Sequence, residues 1–119
     1  MKQWIFSLAL LFVTPSVSAQ SDYYMRQAKG YQRQAEYYTK QAEHLDNRAD
    51  YYIRQASGYL KEAEYYSKKE KYDQVRSFQR RAKIATDKAE SYKRRADAAR
   101  DKARLYMRKA ETALQNAKK

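Results

Sequence analysis

The chain has 119 residues, which bounds it at one domain, and it has no cysteine, which excludes disulfide staples, thiol nucleophiles and thiolate zinc sites. Lys and Arg number 26 against 14 Asp and Glu, a formal net charge of +12, so the partners to expect are anionic: nucleic acid, anionic lipid, acidic glycan or an acidic protein. Two glycines and one proline leave no room for strand-and-turn construction or a flexible linker.

The first element in the chain reads as a signal peptide over 1–19. Lys2 supplies a short basic start, Trp4 to Val13 an apolar stretch, and Val17-Ser18-Ala19 a small-residue site, with cleavage expected before Gln20. The competing reading is a retained interfacial anchor. The apolar stretch is too short to cross a bilayer, which takes about 20 residues, so no transmembrane span is expected after cleavage. The expected location is outside the cytoplasm, extracellular or periplasmic, which turns the choice of anionic partner away from intracellular nucleic acid.

Residues 20–119 read as an all-α, long antiparallel two-helix coiled-coil hairpin with an Ala/Tyr seam. Helix one is expected over about 22–69, with Ser21 or Asp22 as its cap. Its seam steps by four and three residues: Tyr24, Ala28, Tyr31, Ala35, Tyr38, Ala42, Leu45, Ala49, Tyr52, Ala56, Tyr59, Ala63, Tyr66. That spacing is the heptad signature of a coiled coil. The pattern lapses at Lys69-Glu70-Lys71-Tyr72, the expected turn, and Asp73 has N-cap chemistry for helix two, expected over about 73–118. Its seam runs through Val75, Phe78, Ala82, Ala85, Ala89, Tyr92 and onward to Ala117. The two seams are five residues out of phase, which one stutter or one stammer does not produce and a fold-back removes. Antiparallel pairing then sets residues whose numbers sum to 141 in one layer, so that Phe78 meets Ala63, Tyr92 meets Ala49 and Tyr106 meets Ala35. Nearly every large side chain finds an alanine opposite, which lets the layers interdigitate without void or overlap. Arms of about 46 residues would be near 70 Å long at about 1.5 Å per residue.

Residues 23–50 repeat without gaps as 51–78, a period of four heptads that preserves the seam. Tyr23-Tyr24-x-Arg26-Gln27-Ala28-x-Gly30-Tyr31 is matched by Tyr51-Tyr52-x-Arg54-Gln55-Ala56-x-Gly58-Tyr59.

Two surfaces are candidates for function. Tyr23, Tyr37, Tyr51 and Tyr65 recur every 14 residues outside the seam, with Gly30, His44 and Gly58 between them. The helical wheel leaves them exposed on a two-helix hairpin, where they could join hairpins into a homo-oligomer or larger bundle, stack on a ligand, or merely widen the apolar face. The glycines between them would let a neighbouring aromatic nest. Arg81, Lys88, Arg95, Lys102 and Lys109 form a same-sign column beside the seam of helix two. It suits a linear anionic polymer (glycan, lipid surface or nucleic acid), bound with steep salt dependence; the competing reading is a solvated face whose stems cover the seam.

Catalysis, cofactors and metal find no support. His44 is the one histidine, facing outward beside Glu43 and Asp46 in no triad, and carboxylates such as Glu36 stand near Lys40 in the solubilising i,i+4 pattern. The expectation is a non-enzymatic, exported, cationic coiled-coil protein that is a structural or scaffolding component of a cell envelope or extracellular matrix. The alternatives are a monomeric cationic binding module, chaperone-like or envelope- or nucleic-acid-binding, and a helical agent acting on anionic membranes. The last is weakened by the lack of a broad large-apolar face on helix two.

Overall fold

Alanine at every second seam position of the first helix and at most of those of the second, with Gln, Glu, Lys and Arg on the outer faces, gives long uninterrupted stretches of strong helix formers. The computed structural model describes residues 19–119, and the expected signal peptide lies, but for Ala19, outside the described residues. Among the described residues the chain is all-α. Helix α1 spans Ala19–Lys68 and helix α2 spans Tyr72–Lys118, packed against each other as a hairpin. The chain divides into two compact units, one being Thr39–Arg100 with the turn, the other pairing the described residues up to Tyr38 with Asp101–Lys119.

The register agrees with the expected layers in each unit. In the turn-bearing unit Phe78 lies between Tyr59 and Tyr66, 6.2 and 5.6 Å from their ring centroids, which sets it level with Ala63. In the terminal unit Tyr106 lies between Tyr31 and Tyr38, at 6.1 and 5.8 Å, level with Ala35. Ala28 and Ala113 share one apolar cluster with Leu114 and Met25.

The buried apolar residues are alanines, Ala49, Ala96 and Ala110 at 0% exposure among them, joined by Leu45 and Leu114. The seam tyrosines Tyr31, Tyr38, Tyr52, Tyr59 and Tyr66 stay half-buried at the flank. Each alanine withdraws one methyl group from water, worth on the order of 0.8 kcal/mol. Cohesion therefore comes from the number of layers, with no single large core residue dominating.

The turn falls where the second copy of the repeat loses its seam. Ala42, Leu45 and Ala49 of the first copy correspond to Glu70, Asp73 and Ser77 of the second. A continued α1 would thus carry polar groups where the partner helix needs apolar ones. The helix ends in a Schellman motif: the Lys71 amide donates to the Tyr66 carbonyl at 3.0 Å and the Glu70 amide to the Ser67 carbonyl at 3.0 Å. Glu70 takes the left-handed conformation, φ 60°, in the position that glycine usually fills.

Helix α2 opens one residue earlier than expected. The Lys71 carbonyl accepts the Val75 amide at 3.1 Å, so Lys71 is the cap and Asp73 lies inside the first turn. There the Asp73 carboxylate pairs with Arg76 and sits at the positive end of the helix dipole. Ser21 and Asp22 likewise fall inside α1 rather than before it. Ser21 Oγ donates 2.8 Å to the carbonyl of Ala117, one of the α2 carbonyls that has no partner within its own helix.

Candidate functional site

Within each unit rings and cations gather on one flank of the helix pair, and heptad spacing brings them there. Each seam tyrosine of α1 is preceded by an outward residue, and at four places that residue is also a tyrosine. The two neighbouring rings then meet edge to face: Tyr23–Tyr24 at 5.3 Å, Tyr37–Tyr38 at 5.1 Å, Tyr51–Tyr52 at 5.2 Å and Tyr65–Tyr66 at 5.1 Å. The outward rings are exposed as the wheel requires, 54% at Tyr23 and 58% at Tyr37.

The seam rings in turn stack across to α2. Tyr38 is parallel to Tyr106 within 4°, Tyr52 to Tyr92 within 8° and Tyr66 to Phe78 within 7°. Each such pair is worth about 0.5–1.5 kcal/mol beyond the area it covers. Sequence reasoning placed nearly every large residue opposite an alanine but missed these stacks. They arise because a ring too large for the alanine layer swings to the flank and meets the ring of the adjacent layer.

Every member of the basic column is held over a ring. The Arg81 guanidinium lies 5.1 Å from the Phe78 centroid and that of Arg95 5.0 Å from Tyr92, both three residues back on α2. The ammonium of Lys88 lies 5.4 Å from Tyr52 and that of Lys102 5.3 Å from Tyr38, both on α1. Lys109 serves two rings, Tyr31 at 5.8 Å and Tyr106 at 5.3 Å. All five side chains remain exposed. A cation over an exposed ring gains only about 0.5–1 kcal/mol, enough to orient the charge without removing it from solvent.

No protein family, curated protein or solved structure matches the chain. The chemistry of this face has to be read from its own residues.

Arg48 is one participant that heptad counting does not single out. It takes the place that glutamine holds at Gln27, Gln34, Gln41 and Gln55 along the same edge of α1. Its guanidinium donates a 3.0 Å hydrogen bond to the Tyr92 hydroxyl and lies 5.2 Å from that ring centroid. This bond, assisted by the nearby charges of Arg48 and Arg95 and opposed by partial desolvation, draws the Tyr92 phenol below its usual range.

Another pairing crosses the helices at Asp46, whose carboxylate accepts a 2.6 Å hydrogen bond from Arg100. Asp97 holds the same guanidinium at 2.8 Å. The Arg100 hydrogen bond keeps the Asp46 carboxyl below the ordinary carboxylate range against some desolvation. Both side chains are more than a third exposed, so the pair fixes register more than it adds stability.

Gly30 and Gly58 have open space where a side chain would begin, with nothing within 4 Å of an added Cβ. Nothing in the chain's own packing requires a glycine at either place. Among the described residues no three His, Asp or Glu side chains converge in a metal-binding arrangement, and no helix is long and apolar enough to cross a membrane.

Proposed function

We propose that this chain is a non-enzymatic, exported scaffold protein of a cell envelope or extracellular matrix, which holds anionic polymer along α2 and joins to further copies through its outward tyrosines. The observation that carries the polymer reading is the placement of the basic column. Arg81, Lys88, Arg95, Lys102 and Lys109 are each oriented over a ring yet stay exposed. A solvated face with only a solubilising task gains nothing from such orientation, because net charge alone keeps a protein soluble. Charge is also unevenly divided: from Glu70 to Lys119 there are 16 Lys and Arg against 7 Asp and Glu.

Polyanion binding with a steep salt dependence is the expected behaviour, since each neutralised charge releases a counterion. Exchanging three column residues for Gln should lower the log-log salt slope by about 2–3, while the same exchange at Arg26, Arg33 and Arg54 should lower it less. Equal losses from both sets would reduce the column to bulk charge.

Self-association is supported by four exposed tyrosines at one heptad position and by the open space at both glycines. Replacing Tyr23, Tyr37, Tyr51 and Tyr65 by Lys should preserve helicity and lower the mass measured by light scattering. The monomeric binding module is the second reading, favoured by the edge-on contacts that already engage each outward ring within its own chain. A wild type that is monomeric at tens of micromolar, about the range of weak interfaces, selects it. Export is checked by N-terminal sequencing of the native protein, which should begin at Gln20.

A further inference from the structure

The face holds the same small constellation twice, once in each unit. Around Ala85, Tyr59 and Gln55 of α1 meet Arg81 and Lys88 of α2 at a shallow depression of about 130 Å³. Around Ala113, Tyr31 and Gln27 meet Lys109 at another, of about 270 Å³. The correspondence is a shift of 28 residues on both helices: Gln55 with Gln27, Tyr59 with Tyr31, Arg81 with Lys109, Ala85 with Ala113. An alanine where α2 elsewhere carries Phe78, Tyr92 or Tyr106 leaves the floor low.

Tyr59 and Tyr31 also differ from the flush seam rings. They are tilted 34° and 30° from Phe78 and Tyr106, whereas Tyr52, Tyr38 and Tyr66 lie within 8° of their partners. Both rings line their depressions beside the alanine floor, Tyr31 with the Lys109 ammonium 5.8 Å from its centroid. Gln55 donates its amide to the Tyr51 hydroxyl at 2.9 Å and keeps its carbonyl oxygen as an acceptor.

We infer that the two depressions are subsites for single acidic sugar residues of a polysaccharide. One tyrosine face, one glutamine amide and one or two cations on a flat floor suit a pyranose ring: its C–H face lies on the tyrosine, a hydroxyl reaches the glutamine, and its carboxylate or sulfate meets Arg81 and Lys88, or Lys109. A nucleobase is served less well, because sequence-tolerant base binding depends on broad stacking platforms, and the flush rings here are already covered by each other and by cations. The inference rests on the anion-holding reading above and narrows it to a glycan.

The test uses the full mature chain with three probes at physiological salt: a tetra-galacturonate, an inorganic polyphosphate of matched charge, and an oligothymidylate. Galacturonate should shift the ring resonances of Tyr31 and Tyr59 more than those of Tyr23 and Tyr51. The paired exchange Tyr31→Leu with Tyr59→Leu should weaken it at least tenfold while polyphosphate affinity stays within twofold. Gln27→Leu with Gln55→Leu, surface changes that keep good helix formers, should weaken galacturonate in the same selective way should the tyrosine variant lose helicity. Polyphosphate binding without galacturonate binding, or loss of both probes in equal measure, overturns the subsites and leaves the basic column standing. Shifts of Tyr31 and Tyr59 with thymidylate alone overturn the sugar assignment. Failure of all three probes removes the anion-holding reading together with the subsites.

Discussion

The rings of Tyr52 and Tyr92 stack across the helix pair, their centroids 5.7 Å apart and their planes 8° from parallel. Three cations surround this stack: Lys88 over Tyr52, and Arg48 and Arg95 over Tyr92. Elsewhere an aromatic of α2 touches two seam tyrosines, but here Leu45 stands where the second would be, and Arg48 closes the gap. The arrangement concentrates positive charge beside one phenol.

Tyr92 should therefore be the first tyrosine to ionise in an alkaline titration followed at 295 nm. Its folded value lies below the ordinary 10.0, so the ionised form favours the folded state. The resulting contribution is full above the ordinary value and disappears as pH falls through the folded one. Tyr92→Phe should delete the earliest ionisation step, and Arg48→Gln should move it upward. A first step that survives Tyr92→Phe would place the lowered phenol elsewhere.

An alanine core reverses the usual response to core enlargement. Ala49 and Ala96 are fully buried in the unit that bears the turn, with the opposite helix close against them. Ala49→Leu and Ala96→Leu should each cost about 1–3 kcal/mol through overpacking, despite leucine's greater hydrophobicity and near-equal helix propensity. Urea unfolding measures it; a gain in stability would mean that the helices separate freely to admit larger layers.

Glu70 occupies the left-handed position of the Schellman turn, where a side chain is strained and glycine is not. Glu70→Gly should raise unfolding stability by about 1 kcal/mol, while Glu70→Ala, which keeps the Cβ, should not. Equal effects of the two exchanges would trace any change to the lost carboxylate instead of the backbone.

Gly30 and Gly58 sit mid-helix in open space, so alanine there should stabilise the chain by about 1 kcal/mol per site. If copies nest rings against these glycines, the same exchanges should lower the oligomeric mass while raising the melting temperature of dilute protein. Higher stability with unchanged mass would separate the glycines from assembly.

Much of the fold is legible in heptad arithmetic. The five-residue phase difference between the seams demands a fold-back, and the sum of 141 aligns Phe78 with Ala63 and Tyr106 with Ala35. Spacing also reveals the exposed tyrosine stripe and the basic column, because a helix's period alone assigns each residue a direction. Helix starts are less legible. Asp73 has the chemistry of a cap, yet the chain begins α2 at Tyr72 because the Lys71 carbonyl is already placed to accept the Val75 amide.

Heptad counting places a residue on a face but says nothing of how far its side chain reaches, and that is where the three-dimensional packing takes over. A ring on an alanine layer has more than one staggered rotamer open to it. The contacts with the opposite helix select flush stacks for Tyr38, Tyr52 and Tyr66 and tilted rings for Tyr31 and Tyr59. The column of five cations is visible as a pattern, but the seating of Lys88, Lys102 and Lys109 over rings of α1, the Arg48–Tyr92 bond and the two depressions depend on side chains far apart in the chain meeting across the helices. Periodicity along one helix carries no information about such meetings; they exist only once the second helix has closed against the first.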